Sequence, residues 1–171
     1  MKRPKDALHC EEMHWYLSII AVAALLICAN AYDVTLTLEN NLRQSFFQVA
    51  SIITTTGFAT TDFNLWPGFS RSILVLLMFI GACAGSTGGG FKVSRIVIGF
   101  KSVLAYLGAF LHPRAVRKVK FEDKDVDAET MHAICVYFIA AIGLFVISVL
   151  LVALDGFDLV TTFSAVAATF N

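Results

Sequence analysis

The chain has 171 residues, 57% of them hydrophobic and 15% charged, and its acids and bases balance to a formal net charge of zero. A soluble domain carries roughly 25% charged residues, so this composition points to a membrane protein, and without a basic excess nothing invites a nucleic-acid partner. Cys10, Cys28, Cys83 and Cys135 stand far apart with no Cys-x-x-Cys spacing and no histidines clustered beside them, which argues against a disulfide framework or a zinc site.

Residues 1–12 carry Lys2, Arg3 and Lys5 and read as a cytoplasmic N-terminus. Met13 to Tyr32 has no Asp, Glu, Lys or Arg, close to the roughly 20 residues that span the hydrocarbon core, with Trp15, Tyr16 and Tyr32 as interface markers. A first transmembrane helix is predicted over 13–32, with His14 as an interfacial side chain at its edge.

A polar passage, Asp33 to Asn41, is followed by Leu42, Arg43 and an uncharged but diluted segment, Gln44 to Thr61. Gln44, Ser45, Gln48 and Ser51 interrupt it, and only about a dozen residues precede Thr54, too few to span and suited to a re-entrant helix. A pore helix is predicted over 42–53 and an extended loop over 54–58. Three threonines before Gly57 suit a helix end, since Thr loses rotamer freedom in a helix and Gly adopts backbone angles closed to other residues. Successive carbonyls of such a loop can replace the water around a cation. Thr54, Thr55, Thr56, Gly57 and Phe58 are thus candidate selectivity-filter residues; the alternative is a Thr-rich turn capping an ordinary hydrophobic helix. The chain would leave on the side it entered, through Thr60, Asp62 and Asn64.

A second helix is predicted over 67–91, opened by Trp66 and Pro67, with a Gly-rich break and a cytoplasmic extension. Gly81, Gly85 and Gly89 recur every fourth residue, the small-xxx-small spacing that lets helices approach closely in lipid, and Gly85, Gly88, Gly89 and Gly90 weaken or break the helix. Close packing is preferred here to direct ion contact. A Walker loop is excluded, because Phe91 intervenes between the last glycine and Lys92.

From Lys92 to Lys120 the chain is basic, with Arg95, Lys101, Arg114, Arg117 and Lys118 between them and no acid, which places this face in the cytoplasm. His112-Pro113 ends the helical extension, and 112–129 reads as a cytoplasmic linker whose acidic run, Glu122 to Asp127, lacks the glycine and terminal glutamate of a calcium loop. The final segment, 130–171, is predicted as a helix over 130–154 and a pore helix over 158–170. It repeats the earlier part: across the 117 positions from Phe46 to Phe163, Leu159 falls on Leu42, Val166 on Val49, Ala167 on Ala50, Ala140-Ala141 on Ala23-Ala24, and Asn171 on Thr54. Both copies start in the cytoplasm, so the repeats are parallel. The expected architecture is all-α and potassium-channel-like: span, re-entrant pore helix, filter loop, span. The second copy stops where its filter loop should begin, so the chain is expected to be a fragment.

Val49 to Phe63 (VASIITTTGFATTDF), followed by Gly81 to Lys92 (GACAGSTGGGFK), resembles the bacterial Trk/Ktr potassium-uptake family, most closely its TrkH branch, with one repeat and the start of the next. The resemblance implies four such units around one pore in the bacterial cytoplasmic (inner) membrane, and potassium as substrate, held by the backbone carbonyls of Thr54, Thr55 and Thr56. Asn171 is then the first filter residue of the next unit. No cofactor is implied. The partners it implies are the lipid bilayer, a second copy in a homodimer and a cytoplasmic nucleotide-binding regulatory subunit. No intramembrane acid is present to relay protons. A membrane hydrolase using Ser86 with a histidine is the competing class, weakened because His14, His112 and His132 fall at cytoplasmic helix ends or in the linker. A non-transporting structural subunit would not need the Thr-Gly loop.

Overall fold

The computed structural model describes residues 10–33, 36–111, 119–122 and 124–170; Lys2, Arg3, Lys5, His112, Pro113, Arg114, Arg117, Lys118, Asp123 and Asn171 lie outside them. The described residues form six α-helices and one hairpin: α1 Glu11–Asn30, α2 Leu38–Ile53, α3 Gly68–Leu77, α4 Val93–Leu111, strands β1 Lys120–Phe121 and β2 Lys124–Asp125, α5 Ala128–Ala153 and α6 Leu159–Phe170. By length and composition, α1, Val93–Phe110 and α5 can cross a membrane.

The first repeat is built on α1. Ala23, Ala24 and Ile27 are buried against Val49 and Ile53 of α2 and Leu74 and Leu77 of α3, and the two alanines let the backbones come close where lipid gives no hydrophobic drive to association. Ser70 on α3 is fully buried and donates from Oγ to Asn30 Oδ1 at 2.9 Å. The turn between α1 and α2 is held by Asn41, whose side-chain oxygen accepts the Asp33 N–H at 3.1 Å and whose amide donates to the Asp33 carbonyl at 3.0 Å.

The helix α2 starts one turn before Leu42, because Thr37 Oγ1 accepts the Asn40 N–H at 3.3 Å and caps it. Four of its polar residues face inward, while Glu39 and Arg43 are exposed. Asn41, Ser45, Gln48 and Ser51 are all buried, three or four positions apart, on the side that also buries Val49 and Ile53.

The helix expected over 67–91 with a Gly-rich break stops well before the Gly-rich stretch. α3 ends at Leu77, and residues 78–92 are irregular. The helix resumes at Val93, so the stretch read as a cytoplasmic extension is itself an apolar helix of spanning length. Its two charges are both engaged: the Arg95 guanidinium lies 4.1 Å from the Tyr137 ring centre, and Lys101 pairs with Glu11 and donates to the Lys120 carbonyl at 2.9 Å. The linker also holds a hairpin the sequence did not suggest, pairing Lys120 with Asp125 and Phe121 with Lys124.

α5 and α6 pack together through Phe145, Val166 and Ala167, joined by Met78 and Phe79 from the irregular segment. The displacement that carries Phe46 to Phe163 also carries Glu11, the start of α1, to Ala128, the start of α5, and Ile53, the end of α2, to Phe170, the end of α6. Buried Ser45 and Val49 correspond to buried Thr162 and Val166.

Candidate functional site

The threonine run closes α2 in a tight series of backbone bonds. Thr54 N–H donates to the Ala50 carbonyl at 3.0 Å, Thr55 to Ile52 at 3.0 Å, and Thr56 and Gly57 both reach the Ser51 carbonyl, at 2.9 and 3.3 Å. The donors of the turn are thereby spent inward. Among the described residues no donor reaches the carbonyl oxygens of Thr54, Thr55, Thr56 or Gly57, and residues 54–60 are exposed. Gly57 has φ +77, the left-handed angle expected of it, but Thr55 is left-handed too, at φ +58. A β-branched residue in that region is a genuine outlier, and the sequence had no signal for it.

Two buried polar side chains of α2 hold the returning strand. Ser51 Oγ donates to the Phe58 carbonyl at 2.5 Å, and Gln48 Nε2 donates to the Thr61 carbonyl at 3.0 Å. The polar dilution that made α2 too short and too wet to span is thus the means by which the chain leaving the turn is held against the helix. On the loop, Thr54 Oγ1 donates to the Ala50 carbonyl at 2.7 Å and lies 2.7 Å from Thr56 Oγ1, so these hydroxyls bond locally. The carbonyl end of α2 points its partial negative charge at the same turn. Open carbonyls at such an end attract a cation.

The irregular segment 78–92 begins against the core of the first repeat, since Ile80 packs on the cluster that contains Ile27, Ile53 and Leu77. It is a loop closed at its base: Phe91 N–H donates to the Phe79 carbonyl and Gly81 N–H to the Phe91 carbonyl, each at 2.9 Å, and Ile80 and Phe91 form a parallel bridge. Phe79 and Phe91 anchor this base to the second repeat, with ring centres 5.1 Å from Phe145 and 4.9 Å from Phe138. Gly81, Gly85 and Gly89 therefore lie along a loop and not on a helix face, which corrects the helix-packing reading of their spacing. Gly90 takes φ +66 next to the bridge. Within the loop, Ser86 N–H donates to the Cys83 carbonyl at 2.9 Å, Gly88 N–H to Ser86 Oγ at 3.1 Å, and Lys92 Nζ to the carbonyls of Ser86 and Gly88.

Glu12, the last residue of the expected cytoplasmic N-terminus, lies in the first turn of α1 and is buried. Its Oε1 accepts the Ala84 N–H at 2.7 Å and the Ser94 N–H at 3.2 Å. An acid directly before an apolar run was the available signal. Ser86 Oγ has its contact with Gly88, and His14 Nδ1 lies 3.0 Å from the Cys10 carbonyl. The structure brings neither His14 nor His132 to Ser86, so the pair a hydrolase would need is not assembled among the described residues.

The TrkH family model, described as a cation transport protein, matches residues 13–171. The Trk system potassium uptake protein TrkH of Salmonella typhimurium is 38% identical over 156 residues, covering 91% of this chain and 32% of that protein. TrkG of Escherichia coli, also a Trk system potassium uptake protein, is 31% identical over 176 residues, 99% of this chain and 35% of that protein. The crystal structure of the potassium transporter TrkH from Vibrio parahaemolyticus superposes with a TM-score of 0.89 at 34% identity, covering 97% of this chain and 36% of that one. The chain thus spans about a third of the length of the relatives it matches.

Proposed function

Since the chain belongs to the TrkH family of cation transport proteins, we propose that it supplies one complete filter strand, and the pore helix of a second, to a pore that takes up potassium across the bacterial cytoplasmic membrane. Thr54, Thr55, Thr56, Gly57 and Phe58 line the pathway through their backbone, with the carbonyls of the three threonines as potassium ligands and Asn171 opening the next strand. The observation that carries this reading is the turn after α2, in which the amides bond back into the helix and four successive carbonyls receive no donor among the described residues. A dehydrated cation in lipid needs fixed dipoles in place of its water, and a ring of such carbonyls provides them without a carboxylate. The end of α2 adds a favourable field.

A ring needs several strands, so the remaining units come from elsewhere in a larger assembly, four in all by the family resemblance. The same resemblance brings a second copy as homodimer partner and a cytoplasmic nucleotide-binding subunit as regulator. On this reading the chain serves a transporter and not an enzyme.

Rubidium uptake by cells that lack their own potassium uptake tests this, with the chain in its complete polypeptide. Gly57→Ser should abolish the preference for potassium over sodium while the protein still inserts. An unchanged preference would remove Gly57 from the filter.

A further inference from the structure

We propose that Glu12 is the positioning residue of the Gly-rich loop, a buried carboxylate that clasps the loop at Ala84 and fastens it to the first turn of α4. One oxygen, Oε1, accepts both the Ala84 N–H at 2.7 Å and the Ser94 N–H at 3.2 Å. These donors lie on either side of the bridge between Ile80 and Phe91, so the clasp adds a fixed point at Ala84 to a loop that is otherwise held at its base and by the Lys92 bonds to the Ser86 and Gly88 carbonyls. The chemistry suits the place. Ser94 lies in the first turn of α4, whose free amides carry partial positive charge, and hydrogen bonds to an ionised acceptor are roughly twice as strong as neutral ones.

The neighbouring acid has a different task. Glu11 turns to Lys101 and accepts the Glu122 N–H at 3.2 Å, bonding α1 to α4 and the hairpin, and forms no hydrogen bond with the loop among the described residues. The two adjacent acids thus divide the work, one on the linker and one on the loop. The loop starts against the cluster that contains Ile53, the last residue of α2. On the reading above, an ion leaving the Thr-Gly turn meets this loop next, so Glu12 sets the loop's place on the ion path; this part rests on that reading.

Cys83, next to Ala84 and partly exposed, reports on the clasp. The test uses the complete polypeptide with Cys10→Ser, Cys28→Ser and Cys135→Ser, any cysteine elsewhere also replaced, and follows in membranes the pH-independent rate at which N-ethylmaleimide modifies the Cys83 thiolate, so that removal of the Glu12 charge does not by itself move the readout. Glu12→Ala should raise that rate roughly tenfold, the equivalent of one charge-assisted hydrogen bond lost, and Glu12→Gln, whose amide oxygen still accepts, should fall between. Glu11→Gln should leave the rate at the parent value. An unchanged rate in the Glu12 variants, or an equal rise in Glu11→Gln, overturns the proposal. If Glu12→Ala fails to insert, the isosteric Glu12→Gln decides alone. In rubidium uptake, Glu12→Gln should change the rate about threefold or more with potassium preference intact; raised labelling with an unaltered rate would overturn the loop's place on the ion path. If the parent carries no rubidium, the transport reading fails while the labelling result still decides the clasp.

Discussion

Gly81 and Gly89 touch so closely that a methyl group built on Gly81 would stand 1.9 Å from the Gly89 carbonyl oxygen. No rotamer relieves this contact, because the obstructing atom is backbone. Gly81→Ala should therefore open the base of the loop and destabilise the protein by about 1–3 kcal/mol or more, whereas Gly85→Ala, which meets nothing within 4 Å, should be close to neutral. Thermal unfolding in detergent separates the two; equal midpoints would mean that the loop base is looser than described.

Thr55 and Gly57 share left-handed backbone with opposite fitness for it. A β-carbon on Gly57 meets nothing within 4 Å, so the cost of Gly57→Ala is conformational, about 1–2 kcal/mol. Thr55→Gly releases strain of the same kind and should stabilise the fold while loosening the turn. Unfolding midpoints that move in opposite directions would establish this; a fall in both would show that Thr55 contributes more through its side chain than it loses through its backbone.

Asp127 and Asp158 sit before α5 and α6 and accept hydrogen bonds from Thr130 and Thr161, which hold both carboxyls below their ordinary value of 3.8. A depressed pKa means that the contribution to stability is present above 3.8 and is lost as the pH falls through the lowered folded value. Amide exchange at Thr130 and Thr161 should hence be constant from neutral pH to near 4, after correction for intrinsic rates, and speed up below it. Asp127→Ala should expose the Thr130 amide at every pH.

Sidedness follows from the basic segment. A thiol reagent that cannot cross membranes should label Asp62→Cys or Asn64→Cys from outside, and Lys124→Cys only after permeabilisation. The opposite pattern would invert the orientation.

The chain by itself should not transport. Residues 54–60 are exposed in the single chain, and in lipid each unsatisfied backbone group costs several kcal/mol. Reconstituted alone in liposomes it should show no potassium-selective rubidium flux. Robust selective flux would mean that copies of this chain assemble a complete pore.

Much of this was legible where one dimension of chemistry suffices. Uninterrupted apolar runs marked α1 and α5, and the polar dilution of Gln44 to Ser51 marked α2 as too short to span. The end of α3 was hidden, because Leu76, Leu77, Met78, Phe79 and Ile80 are ordinary helix residues. What stops the helix is tertiary: the Phe79 carbonyl receives its bond from Phe91, and both rings pack on a repeat more than forty residues away. Glu12 was hidden for a similar reason, since its partners Ala84 and Ser94 lie far along the chain. Thr55 ran against local preference, and only the closing bonds of α2 force it.

The bridge between Ile80 and Phe91 also decides what evolution may do with this protein. Because the two ends of the loop already meet, its contour length is decoupled from the separation of α3 and α4. Residues inserted between Gly85 and Ser86 would lengthen an appendage without displacing either helix, and loop closure would weaken by only about 0.6 kcal/mol for each doubling of length. Between two helices that the membrane holds to fixed dimensions, this is a place where the chain could lengthen while the scaffold stays the same.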